Sequence, residues 1–124
     1  MNVLIIEDNI EYCQYYKEAF TTISPTSRTA FANNGAEAMN ILDHMKTPDI
    51  IILDLHMPVV NGFQLFKQLK TDSKYQDIPV FIVSGHVQDV IDTSFFSQTI
   101  FCNKPTNLNG FKSLVTSVVN YVKH

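Results

Sequence analysis

Five polar side chains that could do chemistry each stand at or near the end of a short apolar stretch of the sequence. They are Glu7, Asp8, Asp54, Ser84 and Lys104. Asp54 follows the most apolar of these stretches, IIIL, and burying its carboxylate there would be costly unless another group compensated the charge. Chance could place one polar residue at such an end. Three carboxylates, a hydroxyl and an ammonium together indicate one functional site.

The three carboxylates predict a site for a divalent cation, provided that the fold brings them together. Carboxylates that lie close to one another raise each other's pKa values or need a counter-ion. Lys104 supplies only one positive charge. Mg²⁺ suits a site with few carboxylates, some water and a phosphate group. We therefore expect Glu7, Asp8 and Asp54 to hold Mg²⁺.

Short apolar stretches alternate with helical patterns along the chain. The predicted strands lie at 3–6, 28–32, 50–53, 80–83 and 99–102. Continuous apolar runs suit parallel strands that are covered on both faces. The helical stripes are Ile10, Cys13, Tyr16 and Phe20; Ala38, Ile41, Leu42 and Met45; Leu65, Phe66 and Leu69; Val87, Val90, Ile91 and Phe95; and Phe111, Leu114, Val115, Val118, Val119 and Val122. Strand and helix alternate five times, which predicts one domain with a doubly wound α/β sheet.

This predicted sheet accounts for the positions of the five polar side chains. In an open parallel sheet, ligands bind beyond the carboxyl ends of the strands, near the point where the strand order reverses. All five residues end or closely follow a predicted strand, so we expect them at that edge. Glu7 and Asp8 would meet Asp54 there if the first and third strands are neighbours.

In this order and spacing, the residues resemble the signature of the receiver domain of two-component response regulators. The matching positions are the acidic pair Glu7 and Asp8, Asp54 with Met57, Pro58 and Gly62, Ser84 with Gly85, and Phe101 with Lys104 and Pro105. The resemblance covers the whole chain and implies one receiver domain over residues 1–124. It also implies a flavodoxin-like fold, with five parallel strands in the order 2-1-3-4-5 flanked by five helices.

The resemblance further implies the chemistry of a phosphoacceptor. Asp54 would take a phosphoryl group from a phosphohistidine on a histidine kinase or a histidine phosphotransfer protein. The backbone carbonyl of His56 would join the three carboxylates around Mg²⁺, and Ser84 and Lys104 would donate to the remaining phosphoryl oxygens. The protein would catalyse only its own phosphorylation and dephosphorylation. The bond between Lys104 and Pro105 is expected to be cis, as in the family.

One phenylalanine and two histidines stand at positions that tune such a site. Phe101 lies where tyrosine is frequent in the family, so any switch through it must work by packing alone. His56 and His86 each lie two residues after a site residue, where they would line the approach of the water that hydrolyses the acyl phosphate. They would then tune dephosphorylation across roughly pH 5.5–7.5. The alternative is that both are loop histidines without a role.

The output surface is expected on the face formed by the fourth predicted helix, at 86–96, the fifth strand and the last helix. The fourth helix is short and rich in β-branched residues, so its local stability should be low. Movement of Ser84 toward a phosphoryl oxygen would pull on its first turn, and Phe101 would turn inward as space opens. Phe95 and Phe96 would help to form an apolar patch for a downstream target or a second copy of the domain, or would simply pack into the core.

Other functions fit the same residues less well. The main alternative is a degenerate receiver that serves only as a protein–protein interaction module, and the filled acceptor, metal and donor positions argue against it. A haloacid-dehalogenase-type phosphatase would need a second aspartate two positions after Asp54, where His56 stands. A flavodoxin-like FMN module would have a phosphate loop after the first strand, and Glu7 with Asp8 would repel that phosphate.

Charge and composition favour a cytoplasmic protein without nucleic-acid or membrane partners. Acidic residues outnumber basic ones by 12 to 9, so no basic surface is expected. No apolar run reaches the roughly 18 residues of a membrane span, and the start, MNVLIIED, lacks the pattern of a signal peptide. Cys13 and Cys102 are expected to be reduced, buried thiols. Met1 directly before the first strand favours a stand-alone protein, similar to chemotaxis regulators, over a domain cut from a longer chain.

Overall fold

The computed structural model describes residues 1–55, 62–85 and 98–123, which contain five strands and four helices. The strands are β1 (Asn2–Ile6), β2 (Arg28–Ala32), β3 (Ile50–Asp54), β4 (Val80–Ser84) and β5 (Thr99–Asn103). The helices are α1 (Ile10–Ile23), α2 (Gly35–His44), α3 (Gly62–Thr71) and α4 (Leu108–Lys123). Every predicted strand is present, and all except β2 are one residue longer than predicted. The fourth predicted helix, at 86–96, lies outside the described residues.

The five strands form one parallel sheet in the predicted order, β2-β1-β3-β4-β5. An apolar cluster covers each face of this sheet. Leu4 and Leu53 belong to the cluster that includes side chains of α2 and α3. Ile5 and Ile52 belong to the cluster that includes side chains of α1 and α4. Because successive side chains of a strand point to opposite faces, β1 must be apolar from Val3 to Ile6, and β3 from Ile50 to Leu53, to fill both clusters.

The connection between β1 and α1 is short and positions the start of the helix beside the carboxyl edge of the sheet. The side-chain oxygen of Asn9 accepts a hydrogen bond from the backbone N–H of Tyr12 at 3.1 Å and so caps α1. The amide of Asn9 donates to Oε2 of Glu7 at 3.2 Å. This turn therefore fixes the carboxylate of Glu7 and the first turn of α1 relative to each other.

Two predictions about burial were wrong. Ile10 was expected on the apolar stripe of α1, but its side chain is 76% exposed, because β1 ends at Ile6 and the first turn of α1 lies beyond that end. The buried side of α1 consists instead of Tyr16, Ala19 and Phe20. The two cysteines are free, as predicted, but both are only half-buried.

No helix in the described part of the chain is long and apolar enough to cross a membrane.

Gly62 allows α3 to begin directly against the end of β3. A Cβ atom on Gly62 would lie 2.5 Å from the backbone carbonyl oxygen of Asp54 and 2.5 Å from the Cα of Leu55. The amide of Gly62 donates to the carbonyl oxygen of Leu55 at 3.1 Å. The atoms that the Cβ would meet are backbone atoms, so a larger residue would displace the chain that carries Asp54.

Replacing Gly62 by alanine should therefore lower the free energy of unfolding by about 1–3 kcal/mol, the range found for overpacking. Gly85→Ala is the matched control, because a Cβ at Gly85 meets no atom of the described residues within 4 Å. Urea denaturation followed by far-UV circular dichroism measures both variants. A Gly62→Ala chain as stable as the wild type would contradict the close approach.

Candidate functional site

The carboxyl ends of four neighbouring strands bring the predicted site residues together at one edge of the sheet. Glu7 and Asp8 follow β1, Asp54 ends β3, Ser84 ends β4, and Lys104 follows β5. The register continues past the ends of the strands, because the amide of Lys104 donates to the carbonyl oxygen of Ser84 at 2.9 Å. The expectation that these five residues lie at one edge of the sheet is confirmed by their positions.

The ammonium of Lys104 lies between two carboxylates. Its Nζ donates a hydrogen bond to Oδ2 of Asp54 at 2.8 Å and lies 3.1 Å from Oε1 of Glu7. The side chain of Lys104 is 20% exposed, whereas those of Glu7 and Asp54 are 1% and 3% exposed. The prediction of a cis bond before Pro105 was wrong. The bond is trans, and the trans chain already brings the ammonium to Asp54.

Glu7, Asp8 and Asp54 form a cluster of carboxylates. One oxygen from each lies within 4.8 Å of the others, and Asp8 is the most exposed of the three. Oε1 of Glu7 is buried and accepts no hydrogen bond from the described residues, because the 3.1 Å contact with Lys104 lacks hydrogen-bond geometry. A buried carboxylate oxygen in this condition needs another positive partner.

Burial and the neighbouring charges of the cluster act on the pKa of Glu7. Burial, which removes the carboxylate from water, and the neighbouring charge of Asp54 raise the pKa of Glu7 from 4.5 to about 7, although Lys104 acts in the opposite direction. For Lys104, burial alone would lower the pKa of the ammonium. The hydrogen bond and negative charge of Asp54, with the charge of Glu7, outweigh burial and raise that pKa. One ammonium therefore does not fully compensate the two buried carboxylates.

This arrangement fits a hard divalent cation. The donor set is made of carboxylate oxygens, which are the ligands that Mg²⁺ and Mn²⁺ accept most readily. The unsatisfied Oε1 of Glu7 belongs to that set. A cation, an ammonium and a hydroxyl at one edge could together bind the oxygens of a phosphoryl group.

The hydroxyl comes from Ser84, which is completely buried at the end of β4. Asp54 pairs with Val83 in the β3–β4 ladder, so Ser84 lies one residue further along its strand. Phe101 pairs with Ile82 in the next ladder. It is partly buried and packs against the apolar cluster that includes side chains of α2 and α3. Part of the Phe101 side chain therefore already contacts the core.

Several predicted site residues lie outside the described residues. They are His56, Met57, Pro58, His86, Phe95 and Phe96. The backbone carbonyl of His56 as a metal ligand, the two histidines as regulators of dephosphorylation and the two phenylalanines as a binding patch therefore stay predictions.

One neighbour of the site was not predicted. The ring of Tyr12 faces the ammonium of Lys104, with 4.4 Å between Nζ and the ring centroid. Tyr12 follows the acidic pair by four residues in the first turns of α1, and that spacing was the available signal. The sequence alone does not say how α1 is rotated, so the signal was missed.

Comparison with known proteins adds to this geometry. The model of the family described as "Response regulator receiver domain" matches residues 3–115. Among curated proteins, the chain is similar to a chemotaxis protein CheY homolog of Campylobacter jejuni, with 27% identity over 84 residues. That alignment covers 68% of this chain and 64% of the relative, slightly less than two thirds of its length.

Two solved structures are similar to this fold. The Mn²⁺-bound form of response regulator Rcp1 has a TM-score of 0.82 and 21% identity, covering 97% of this chain and 92% of that one. The response regulator TrrA from Thermotoga maritima, in complex with Mg²⁺-BeF, has a TM-score of 0.74 and 20% identity, covering 94% of this chain and 97% of that one. At these identities the likeness shows the fold alone.

The raised pKa of Glu7 predicts how the metal-free protein responds to pH. Folding favours the protonated carboxyl, so the free energy of unfolding should fall as the pH rises from 4.5 through about 7, by on the order of 3 kcal/mol. Glu7→Gln removes the charge and should be more stable than the wild type at pH 8 in EDTA. Near pH 4.5 the two should differ little.

Urea denaturation at both pH values measures this effect. Glu18→Gln is the matched control, because it makes the same change at an exposed position of α1 and should leave the pH dependence as it is in the wild type. A Glu7→Gln chain that is less stable than the wild type at pH 8 would show that Lys104 compensates both carboxylates.

Proposed function

Because the chain belongs to the response regulator receiver domain family, we propose that it is a phosphoacceptor of a two-component signalling system. The observation that best supports this proposal is the buried carboxylate of Asp54, which lies beside a second carboxylate, Glu7, and accepts a hydrogen bond from Lys104. On this proposal, residues 1–124 form one receiver domain that acts in the cytoplasm. It transfers no group to a separate substrate, so it is a regulator and not an enzyme in the usual sense.

The proposed reaction is the transfer of a phosphoryl group to Asp54. The donor is a phosphohistidine on a histidine kinase or a histidine phosphotransfer protein. A carboxylate oxygen of Asp54 forms a bond to phosphorus while the bond from phosphorus to the imidazole nitrogen of the donor breaks. The imidazole leaves with the electron pair of that bond and takes a proton from the solvent. The product is an acyl phosphate on Asp54.

The carboxylate cluster is proposed to hold Mg²⁺ during this reaction. Glu7, Asp8 and Asp54 would supply side-chain oxygens, and His56 would supply its backbone carbonyl. When bound, Mg²⁺ neutralises the carboxylates and the charge on the phosphoryl oxygens. The buried Oε1 of Glu7, which accepts no hydrogen bond from the described residues, supports this assignment.

Ser84 and Lys104 are proposed to stabilise the remaining charge of the phosphoryl group. The transition state of phosphoryl transfer is loose, and its negative charge is spread over three oxygens, so catalysis depends on positioned donors. Lys104 is already held 2.8 Å from Asp54 and needs only to pass its hydrogen bond to a phosphoryl oxygen. Ser84 ends β4, where its carbonyl oxygen accepts a hydrogen bond from the amide of Lys104. Its hydroxyl would donate a hydrogen bond to another phosphoryl oxygen.

The proposed output is a change in the face formed by residues 86–96, β5 and α4. Movement of Ser84 toward the phosphoryl group would favour a state in which Phe101 is fully inward, and the changed face would bind a downstream target or a second copy of the domain. The partly buried position of Phe101 on β5 supports this route. A shift of a few kcal/mol between the two states is sufficient for such a switch.

Acetyl phosphate with Mg²⁺ should add the mass of one phosphoryl group to the wild-type chain. Asp54→Asn should abolish that gain because it removes the nucleophile, and EDTA should abolish it because the carboxylate cluster then repels the donor. Asp77→Asn is the matched control, as Asp77 is exposed just before β4 at the opposite edge of the sheet. Intact-mass spectrometry reads all four samples. Labelling of the Asp54→Asn chain, or labelling in EDTA, would exclude this assignment and leave the interaction module as the function.

Beryllofluoride with Mg²⁺ should change the amide NMR shifts of residues 85–105 in addition to those of the loops around Asp54. The physical reason is that Ser84 connects the phosphoryl site to residues 86–96, and Phe101 lies on the neighbouring strand β5. The Asp54→Asn chain serves as the control for reagent effects. Shift changes confined to the loops around Asp54, with residues 85–105 unchanged, would show that the proposed switch does not exist.

A further inference from the structure

The ammonium of Lys104 has a third neighbour besides its two carboxylates. Its Nζ lies 2.8 Å from Oδ2 of Asp54 and 3.1 Å from Oε1 of Glu7, and the ring of Tyr12 covers it at 4.4 Å from the centroid. That distance is well within the roughly 6 Å over which an aromatic face attracts a cation. The ammonium is thus enclosed by negative charge and by the negative face of a ring.

We propose that Tyr12 is a positioning residue that holds the Lys104 ammonium at the phosphoacceptor, an inference that rests on the proposed function of Asp54. Lysine has a long, flexible side chain, and its ammonium has three hydrogen-bond donors that oxygen atoms can compete for. A ring face attracts the charge without using a donor. The ring therefore competes less than another oxygen atom would for the N–H groups that bind carboxylate and phosphoryl oxygens.

The ring of Tyr12 is itself held in place by an aromatic cluster, which consists of Tyr12, Tyr15, Tyr16 and Phe111. Phe111, on α4, is fully buried, with its centroid 5.6 Å from that of Tyr12 and 5.3 Å from that of Tyr15. Tyr16 meets the same ring edge-on at 4.8 Å. Ring pairs at these distances attract each other, so α1 and α4 together set the position of the Tyr12 ring.

This arrangement matters most when the hydrogen bond of Lys104 moves. During the proposed transfer, Nζ must leave Oδ2 of Asp54 for a phosphoryl oxygen. A fixed ring on one side limits where the ammonium can go and keeps it close to the reacting oxygens. Without the ring, Lys104 would reach the transition state from many more conformations, which lowers the rate.

The test compares Tyr12→Leu, which removes the ring, with Tyr12→Phe, which keeps the ring face and loses only the hydroxyl. Tyr121→Leu is the matched control, because the Tyr121 ring also belongs to a helix and packs on a buried ring, that of Phe81, but lies beside Pro79 and Gln98 at the opposite edge of the sheet. Replacing Tyr12 by trifluorophenylalanine keeps the shape of the ring and weakens its negative face, so it remains informative if Tyr12→Leu fails to fold. All variants are full-length chains, and urea denaturation establishes that they are folded.

Two measurements are made on each variant. The first is the rate constant of phosphorylation across a range of acetyl phosphate concentrations with Mg²⁺, followed by intact mass and corrected for dephosphorylation. Tyr12→Leu and the fluorinated variant should lower the maximal rate by about three- to tenfold, the range expected for a cation–ring contact, with KM changed less than about twofold. Tyr12→Phe and Tyr121→Leu should stay within about twofold of the wild type in both quantities.

The second measurement is the NMR shift of the ε-methylene protons of Lys104, which needs no phosphorylation. The ring of Tyr12 should shift these protons upfield in the wild type and in Tyr12→Phe, and Tyr12→Leu should abolish that shift. Unchanged rate and KM in Tyr12→Leu would overturn the inference, as would equal loss of rate in Tyr12→Leu and Tyr121→Leu. A wild-type chain that gains no phosphoryl mass overturns the proposed function and the inference together, whereas a phosphorylated wild type with an unaffected Tyr12→Leu overturns the inference alone.

Discussion

Two buried carboxylates share one ammonium at the carboxyl edge of the sheet. Negative charge therefore exceeds positive charge there, and the properties of the site depend on that excess. Glu7 and Asp54 are brought side by side because β1 and β3 are neighbours in the strand order β2-β1-β3-β4-β5. Lys104 reaches them because β5 ends at the same edge. The apolar clusters on both faces of the sheet keep water away from these charges, which strengthens both their repulsion and their attraction to a cation.

The same excess of negative charge links the stability of the fold to the proposed function. Burial and the charge of Asp54 raise the pKa of Glu7, so its ionised form is disfavoured when no cation is bound. A divalent cation bound there would favour the ionised carboxylates and so stabilise the fold. On the proposed function, a phosphoryl group would add negative charge and would need the cation, Lys104 and Ser84 together. In the proposed mechanism this joint demand moves Ser84, and through it the residues that follow β4.

The sequence predicted the fold, and the edge of the sheet at which Glu7, Asp8, Asp54, Ser84 and Lys104 lie, because both depend on simple patterns. Unbroken apolar runs indicate strands covered on both faces, and the polar residues that end such runs must lie at the edge of the sheet. Features that depend on where a strand ends or how a helix is rotated were not predicted. The exposure of Ile10 depends on where β1 stops relative to the first turn of α1, and the ring of Tyr12 depends on the rotation of that helix. The cis bond before Pro105 was taken from the resemblance, but the bond is trans, and Lys104 donates to Asp54 from it.

We propose that Lys104 and a divalent cation compensate the charge of Asp54 before transfer and the charge of the phosphoryl group after it. A crystal structure of the chain grown with Mg²⁺ and beryllofluoride tests this most directly. The account predicts beryllofluoride on Asp54, a metal ion touching Glu7, Asp8 and Asp54, and Nζ of Lys104 moved from Oδ2 of Asp54 to a fluoride. A structure in which Asp54 carries no beryllofluoride, or in which Lys104 still bonds Asp54 with no contact to a fluoride, would contradict it.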